Sequence, residues 1–221
     1  MPKHLQRDIE NLKKKILSLG ARVEMAVHEA IRSIETRDEA LARRIIDEDI
    51  LIDQTEVEVE EECLKMLALH QPVAIDLRFI VAVLKINNDL ERIGDLAVNI
   101  AERSSFLASQ PQVDVPFDFA QMSENTEAML NKSLDALVNM SSSLANEVCM
   151  SDDAIDNMNR QMFLKVQEAI LKHPRHITSL IHILSVSRHL ERIADHATNV
   201  AEDVIYMIEG QIVRHKTEDY K

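Results

Sequence analysis

Leu90-Glu91-Arg92-Ile93-Gly94-Asp95 and Leu190-Glu191-Arg192-Ile193-Ala194-Asp195 are nearly one hexapeptide, written twice at an offset of 100 residues. The match continues through Asn99, Ala101 and Glu102 and through Asn199, Ala201 and Glu202. Upstream, Leu69-x-x-Pro72 answers Leu171-x-x-Pro174, and Asp49-x-x-x-Asp53 answers Asp152-x-x-x-Asp156. Three matched features in one order make an internal duplication.

Each copy reads as three helices. In the first, apolar residues fall at Leu5, Ile9, Leu12, Ile16, Leu19, Val23, Ala26, Ala30 and Ile34. Steps of four and three give a coiled-coil-like stripe. Thr36-Arg37-Asp38 reads as a turn and a new helix start, and the second helix runs from about 39 to 69. The third begins at or just after Pro72, since a first-turn proline is tolerated, and runs to about 107. Residues 109–118 carry Pro111 and Pro116 without a period and read as the linker. The second copy repeats the plan, with a stripe of Met122, Thr126, Met129, Ser133, Ala136, Met140 and Leu144 and with Pro174 between its last two helices. The methionines are expected to pack in the core, and Ser151, before Asp152-Asp153, is a candidate N-cap. The predicted fold is all-α: two tandem three-helix bundles, residues 1–108 and 119–221, placed end to end.

Composition agrees. The 221 residues include only 3 Gly and 5 Pro, aromatics make up 3%, and Trp is absent, a mixture that suits long helices rather than sheets. A net charge of −13 argues against nucleic acid as a partner and suits cations or basic protein surfaces. The longest uninterrupted apolar run, Phe79 to Leu84, is too short to span a bilayer, and no signal peptide is expected behind Met1. Cys63 and Cys149 form no C-x-x-C pair and are expected as small apolar residues in a reducing cytoplasm. No Gly-rich phosphate loop, H-E-x-x-H or G-x-S-x-G is present, so nothing requires an enzyme.

The acids carry the functional signal. At about 100° per residue, Glu91 and Asp95 share one helix face with Val73, Leu77, Ile80 and Leu84 upstream. Glu191 and Asp195 follow Ile177, Leu180 and Leu184 in the same way. On the second helix, Ala42, Ile45 and Ile46 lead into Asp49, Asp53, Glu56 and Glu60. Acidic pairs at i and i+4 have Cβ atoms about 5–6 Å apart and repel unless a counter-charge or a proton intervenes. Arg92 and Arg192, each a step round from its Glu, are expected to serve their own pairs poorly. Two helices each offering such a pair gather four carboxylates, a donor set for a hard cation. The expected metal ligands are Asp49, Asp53, Glu91 and Asp95 in the first copy, and Asp152, Asp156, Glu191 and Asp195 in the second. The cation is divalent or trivalent: iron, zinc, manganese or magnesium. His182, His189 and His196 lie nearly opposite these acids and are expected to pack. No Glu-x-x-His occurs, against a ferritin-like di-iron site.

The repeated Leu-Glu-Arg-Ile-(Gly/Ala)-Asp element resembles the motif of PhoU proteins. Gln71-Pro72-x-x-x-Asp76-Leu77-Arg78 and the tail Tyr206-x-x-x-Gly210-Gln211-x-x-Arg214-His215 resemble it too. The resemblance implies two three-helix bundles whose Glu/Asp-x-x-x-Asp motifs hold metal clusters in some members. It implies a regulator of phosphate homeostasis that represses the phosphate-starvation response when phosphate is plentiful. The implied partners are the ATPase subunit of the phosphate transporter, a sensor histidine kinase and a second copy of the chain in a homodimer. The implied location is cytoplasmic, peripheral at the inner membrane through partners, with no membrane insertion. Two other readings stand beside it: a protein that buffers or stores iron or manganese, and a helical scaffold whose acids stay hydrated. Glu56 has Asn159 as its counterpart, so the two sites need not bind alike.

Overall fold

The computed structural model describes residues 3–113 and 119–213. Residues 114–118 of the expected linker, and Arg214 and His215 of the tail motif, lie outside them. Helix α1 spans Lys3–Thr36, α2 Glu39–Glu48, α3 Ile50–His70, α4 Ala74–Ala108, α5 Phe119–Asn139, α6 Ser142–Lys172 and α7 Ile177–Glu209. No strand occurs among the described residues. Helices α2 and α3 are one long helix interrupted at Asp49, which itself keeps helical angles.

Local chemistry explains the boundaries. Helix α1 ends at Thr36, and Asp38 caps α2 by accepting from the Leu41 amide at 3.0 Å. Arg37 turns at a φ of 55° and donates from its guanidinium to the carbonyls of Leu107 and Gln110. A cation thus sits at the C-terminal end of α4, where the helix dipole favours it. Gln71, at a φ of 44°, closes α3 before Pro72, and a 3-10 turn from Pro174 to His176 separates α6 from α7. The N-cap of α6 is Ser141, which accepts from the Leu144 amide, not Ser151. Ser151 lies inside the helix and donates to the Glu147 carbonyl, because the helix starts ten residues earlier than its acids suggest.

The stripe of α1 packs as its spacing demands up to Val23, with Leu12, Leu19 and Val23 fully buried. Beyond that, Ala30 stays fully buried, but Ala26 and Ile34 are half-buried and Val27 and Ile31 join the core. A seven-residue period drifts by about 20° per heptad on a straight helix, so the buried edge moves by one position. On α5, Met122 and Met129 are core residues, while Met140 is exposed at the turn into α6.

Bundle one is α1, α2–α3 and α4; bundle two is α5, α6 and α7. They lie side by side along α4 and α7 rather than end to end. Three contacts mark an antiparallel seam: Phe106 on His182, Asp89 to His196, and Lys85 to Asp203. As the number falls on α4 it rises on α7. A single hydrophobic core runs through this seam and joins both bundles. The tips of α6 and α7 hold a smaller cluster of Met162, Val166, Ala169 and Leu180. The Arg78 and Gly210 elements of the two outer motifs also meet. A Cβ on Gly210, which has a φ of +75°, would fall 1.9 Å from an Arg78 guanidinium nitrogen.

Candidate functional site

The acidic pairs face one another across α3 and α4, and again across α6 and α7. In the first groove Asp49 adjoins Asp53 and Asp95, and Glu91 adjoins Asp95, Asp53 and Glu56, near enough for mutual repulsion. Burial, then Asp53 and Asp95, push the Asp49 carboxyl up to about 6. Burial and then Asp95 raise Glu91, and burial and then Glu60 raise Glu56. Gly94 lets the helices approach: a Cβ there would meet the Ile52 side chain at 3.2 Å and Asp49 Oδ1 at 3.5 Å. The second copy has Ala194 at this place.

The second groove repeats the arrangement. Burial, then Glu191, Asp152 and Asp156, push Asp195 up to about 6. Burial and then Asp156 raise Glu191, while burial raises Asp152, against a hydrogen bond donated by Thr198 at 3.2 Å. Each expected quartet is therefore brought together by its bundle. Among the described residues, however, no three His, Cys, Asp or Glu side chains converge as a ready-made metal cage. The acids line open grooves: Asp53 and Asp195 are exposed, and Asp49, Glu91, Asp152, Asp156 and Glu191 are half-buried.

Two expectations change in detail. The face shared with the acids joins the core only in part: Ile80 and Leu180 are fully buried, but Val73 is 72% exposed and Leu77 and Ile177 are exposed too. The core uses the adjacent face of α4, through Ile86, Leu90, Ile93 and Ala97, so the acids flank the core rather than interrupt it. Arg92 does reach its own pair, with Nε 3.3 Å from Glu91 Oε2 and a terminal nitrogen 3.2 Å from Asp95 Oδ2. Its long stem spans the turn that the Cα angle alone excludes. The histidines pack in the seam: His182 stacks on Phe106 at 3.9 Å, His189 meets Ser185 at 3.1 Å, and His196 meets Asp89 at 2.8 Å.

Asn87 and Ser187 were not on the expected list. Each lies four residues before its Glu and is fully buried. Asn87 donates to Glu56, and Ser187 donates to Asn159, the counterpart of Glu56. Asn87 sits between the buried Ile86 and Leu90, and Ser187 between the buried Val186 and Leu190; a polar residue among these apolar positions in both copies was the available signal.

The residues fit a hard cation in chemistry. Every expected donor is an oxygen, and several carboxyls are pushed toward protonation. The soft donors are set aside: Cys63 is buried, Cys149 half-buried, and burial pushes both thiols up to about 12.

These features define a class: a duplicated helical-bundle protein with one acidic groove per repeat. The PhoU domain model matches residues 16–104 and 119–204, and the chain belongs to the PhoU family. It is 39% identical to a phosphate-specific transport system accessory protein PhoU homolog of Aquifex aeolicus, over 96% of each chain. It is 34% identical to the homolog of Clostridium acetobutylicum, over 96% of this chain and 97% of that one. The crystal structure of PhoU from Pseudomonas aeruginosa superposes with a TM-score of 0.89 at 32% identity, covering 93% of this chain and 99% of the other. The phosphate transport system regulatory protein PhoU from Streptococcus pneumoniae superposes with a TM-score of 0.83 at 27% identity, covering 95% and 99%. No helix among the described residues is long and apolar enough to cross a membrane.

Proposed function

We propose that this chain is a regulator of inorganic phosphate homeostasis. It represses the phosphate-starvation response when phosphate is abundant. It acts as an adaptor between the ATPase subunit of the phosphate transporter and a sensor histidine kinase, in the cytoplasm and as a homodimer. The observation that carries this reading is similarity to phosphate-transport accessory proteins over nearly the whole chain, both repeats included. Deleting the gene should leave phosphate-starvation genes expressed in high phosphate. Normal repression in a deletion strain with no second copy sinks the reading.

The grooves are proposed as cation sites within that role. Asp49, Asp53, Glu91 and Asp95 would hold one ion or cluster, and Asp152, Asp156, Glu191 and Asp195 the other. Iron, zinc, manganese or magnesium would supply the positive charge that lets the facing carboxylates ionise together. The chain's own part is to hold acids from two helices at one groove, so that binding ties α3 to α4 and α6 to α7. A second reading, a buffer for iron or manganese, draws on the open, all-oxygen grooves. Capture of the transporter ATPase and the kinase from defined mixtures, with and without metal, separates the two.

A further inference from the structure

The grooves differ most one helical turn before their glutamates. Asn87 is 1% exposed; its Nδ2 donates to Glu56 Oε1 at 2.9 Å and to the Glu56 carbonyl at 3.0 Å. Its Oδ1 is buried and accepts no hydrogen bond. A buried acceptor left without a partner costs on the order of 1–3 kcal/mol, so a native structure that keeps one calls for an explanation. Glu91, on the same face of α4, is half-buried, and its Oε2 makes no hydrogen bond, only an ion pair with Arg92 Nε at 3.3 Å. Glu56 and Glu91 lie close enough to repel. The first groove therefore sets a buried, unpartnered amide oxygen on the side chain that holds the Glu56 carboxylate, one turn from a Glu91 whose charge is met by the half-exposed Arg92.

The second groove is closed at this place. Ser187 Oγ donates to Asn159 Oδ1 at 2.8 Å, and the Asn159 side chain hydrogen-bonds Glu191. The amide is used on both sides, and Asn159 brings no charge where the first groove has Glu56. The duplicated position is thus a satisfied neutral network in one bundle and an unsatisfied, anionic one in the other.

We propose that Asn87 Oδ1 and the Glu56 carboxylate are ligands of the first groove, added to Asp49, Asp53, Glu91 and Asp95, so that it binds a hard cation more tightly than the second groove. Affinity at oxygen sites follows the number and charge of the ligands. The proposal rests on the reading of the grooves as cation sites.

The test uses the full chain and manganese(II). Asp152→Asn with Asp195→Asn leaves the first groove alone; Asp49→Asn with Asp95→Asn leaves the second. Equilibrium dialysis should find the first groove tighter by about tenfold or more. In that background Glu56→Gln should abolish the advantage, and Asn87→Ser should reduce it severalfold. Asn159→Glu with Ser187→Asn should raise the affinity of the second groove. Circular dichroism of the metal-free variants checks folding. Should Asn87→Ser fail to fold, Glu56→Gln, at a half-buried side chain, carries the test. Manganese binding of equal strength in both grooves, untouched by Glu56→Gln, overturns the proposal and leaves the cation reading standing. No manganese in either groove, and none in the unmodified protein, overturns both.

Discussion

The seam and the grooves both place carboxylates beside apolar residues, yet they treat charge in opposite ways. In the seam, Asp89 is 8% exposed, faces His196 Nδ1 at 2.8 Å and accepts from Asn199 at 3.2 Å. Asp203, 2% exposed, accepts from Lys85 at 3.1 Å, and that ammonium also lies 5.0 Å from the centre of the Tyr206 ring. Each buried acid there has a donor from the opposite bundle. In the grooves, the neighbours of the acids are mainly other acids, and burial together with these neighbours raises the pKa of Asp49, Glu91, Asp152, Glu191 and Asp195. Seam charges specify how the bundles dock, while groove charges stay available for something that is not part of the chain.

Asp89→Ala should break the contrast most strongly. It leaves His196 and Asn199 without their shared acceptor at a buried interface, and about 2–3 kcal/mol of stability should be lost in urea unfolding. Asp95→Asn with Asp195→Asn should cost the metal-free protein no stability, because each change relieves repulsion in an open groove. A loss as large as that of Asp89→Ala would make the groove acids structural rather than poised for a ligand.

A pH series sharpens the same comparison with a smaller effect. The folded pKa of about 6 at Asp49 and Asp195 lies above the unfolded value of about 3.9. A carboxyl with a raised folded pKa favours folding only while protonated. Its contribution is whole below about pH 4 and is lost as pH rises through about 6. Metal-free protein should therefore melt at a lower temperature at pH 7 than at pH 5, and Asp49→Asn with Asp195→Asn should flatten that difference. Manganese should restore the melting temperature at pH 7, and restore less as pH falls below about 6, where protons compete with it. A metal-free melting temperature that rises from pH 5 to pH 7, equally in both proteins, contradicts the repulsion.

The smallest effect concerns Arg92, whose guanidinium competes for Glu91 and Asp95. This side chain is half exposed, and such pairs contribute about 0–1 kcal/mol. Arg92→Gln should raise manganese affinity in the first groove by roughly two- to fivefold, read by dialysis on the background that lacks the second groove. Weaker binding instead would make Arg92 a support for its neighbours rather than a competitor.

The helices, the duplication, the Pro72 and Pro174 turns and the i, i+4 spacing of the four acidic pairs are legible in the sequence alone. Those features are periodic or local: a stripe every three or four residues, a cap, a proline, an i, i+4 pair. They can be read without knowing what lies opposite. That the bundles lie side by side is a matter of packing, since one amphipathic stripe cannot show which apolar surface covers it. The same limit explains the acidic face, whose apolar residues enter the core at Ile80 and Leu180 but stay exposed at Val73 and Leu77. It explains Arg92, whose stem reaches farther than its Cα direction suggests. It explains Asn87 and Ser187 as well, because an unsatisfied oxygen and a closed hydrogen bond are properties of partners from another helix. The residues carried the charge pattern; the packing of α3 on α4 and of α6 on α7 decided which charges found partners and which did not.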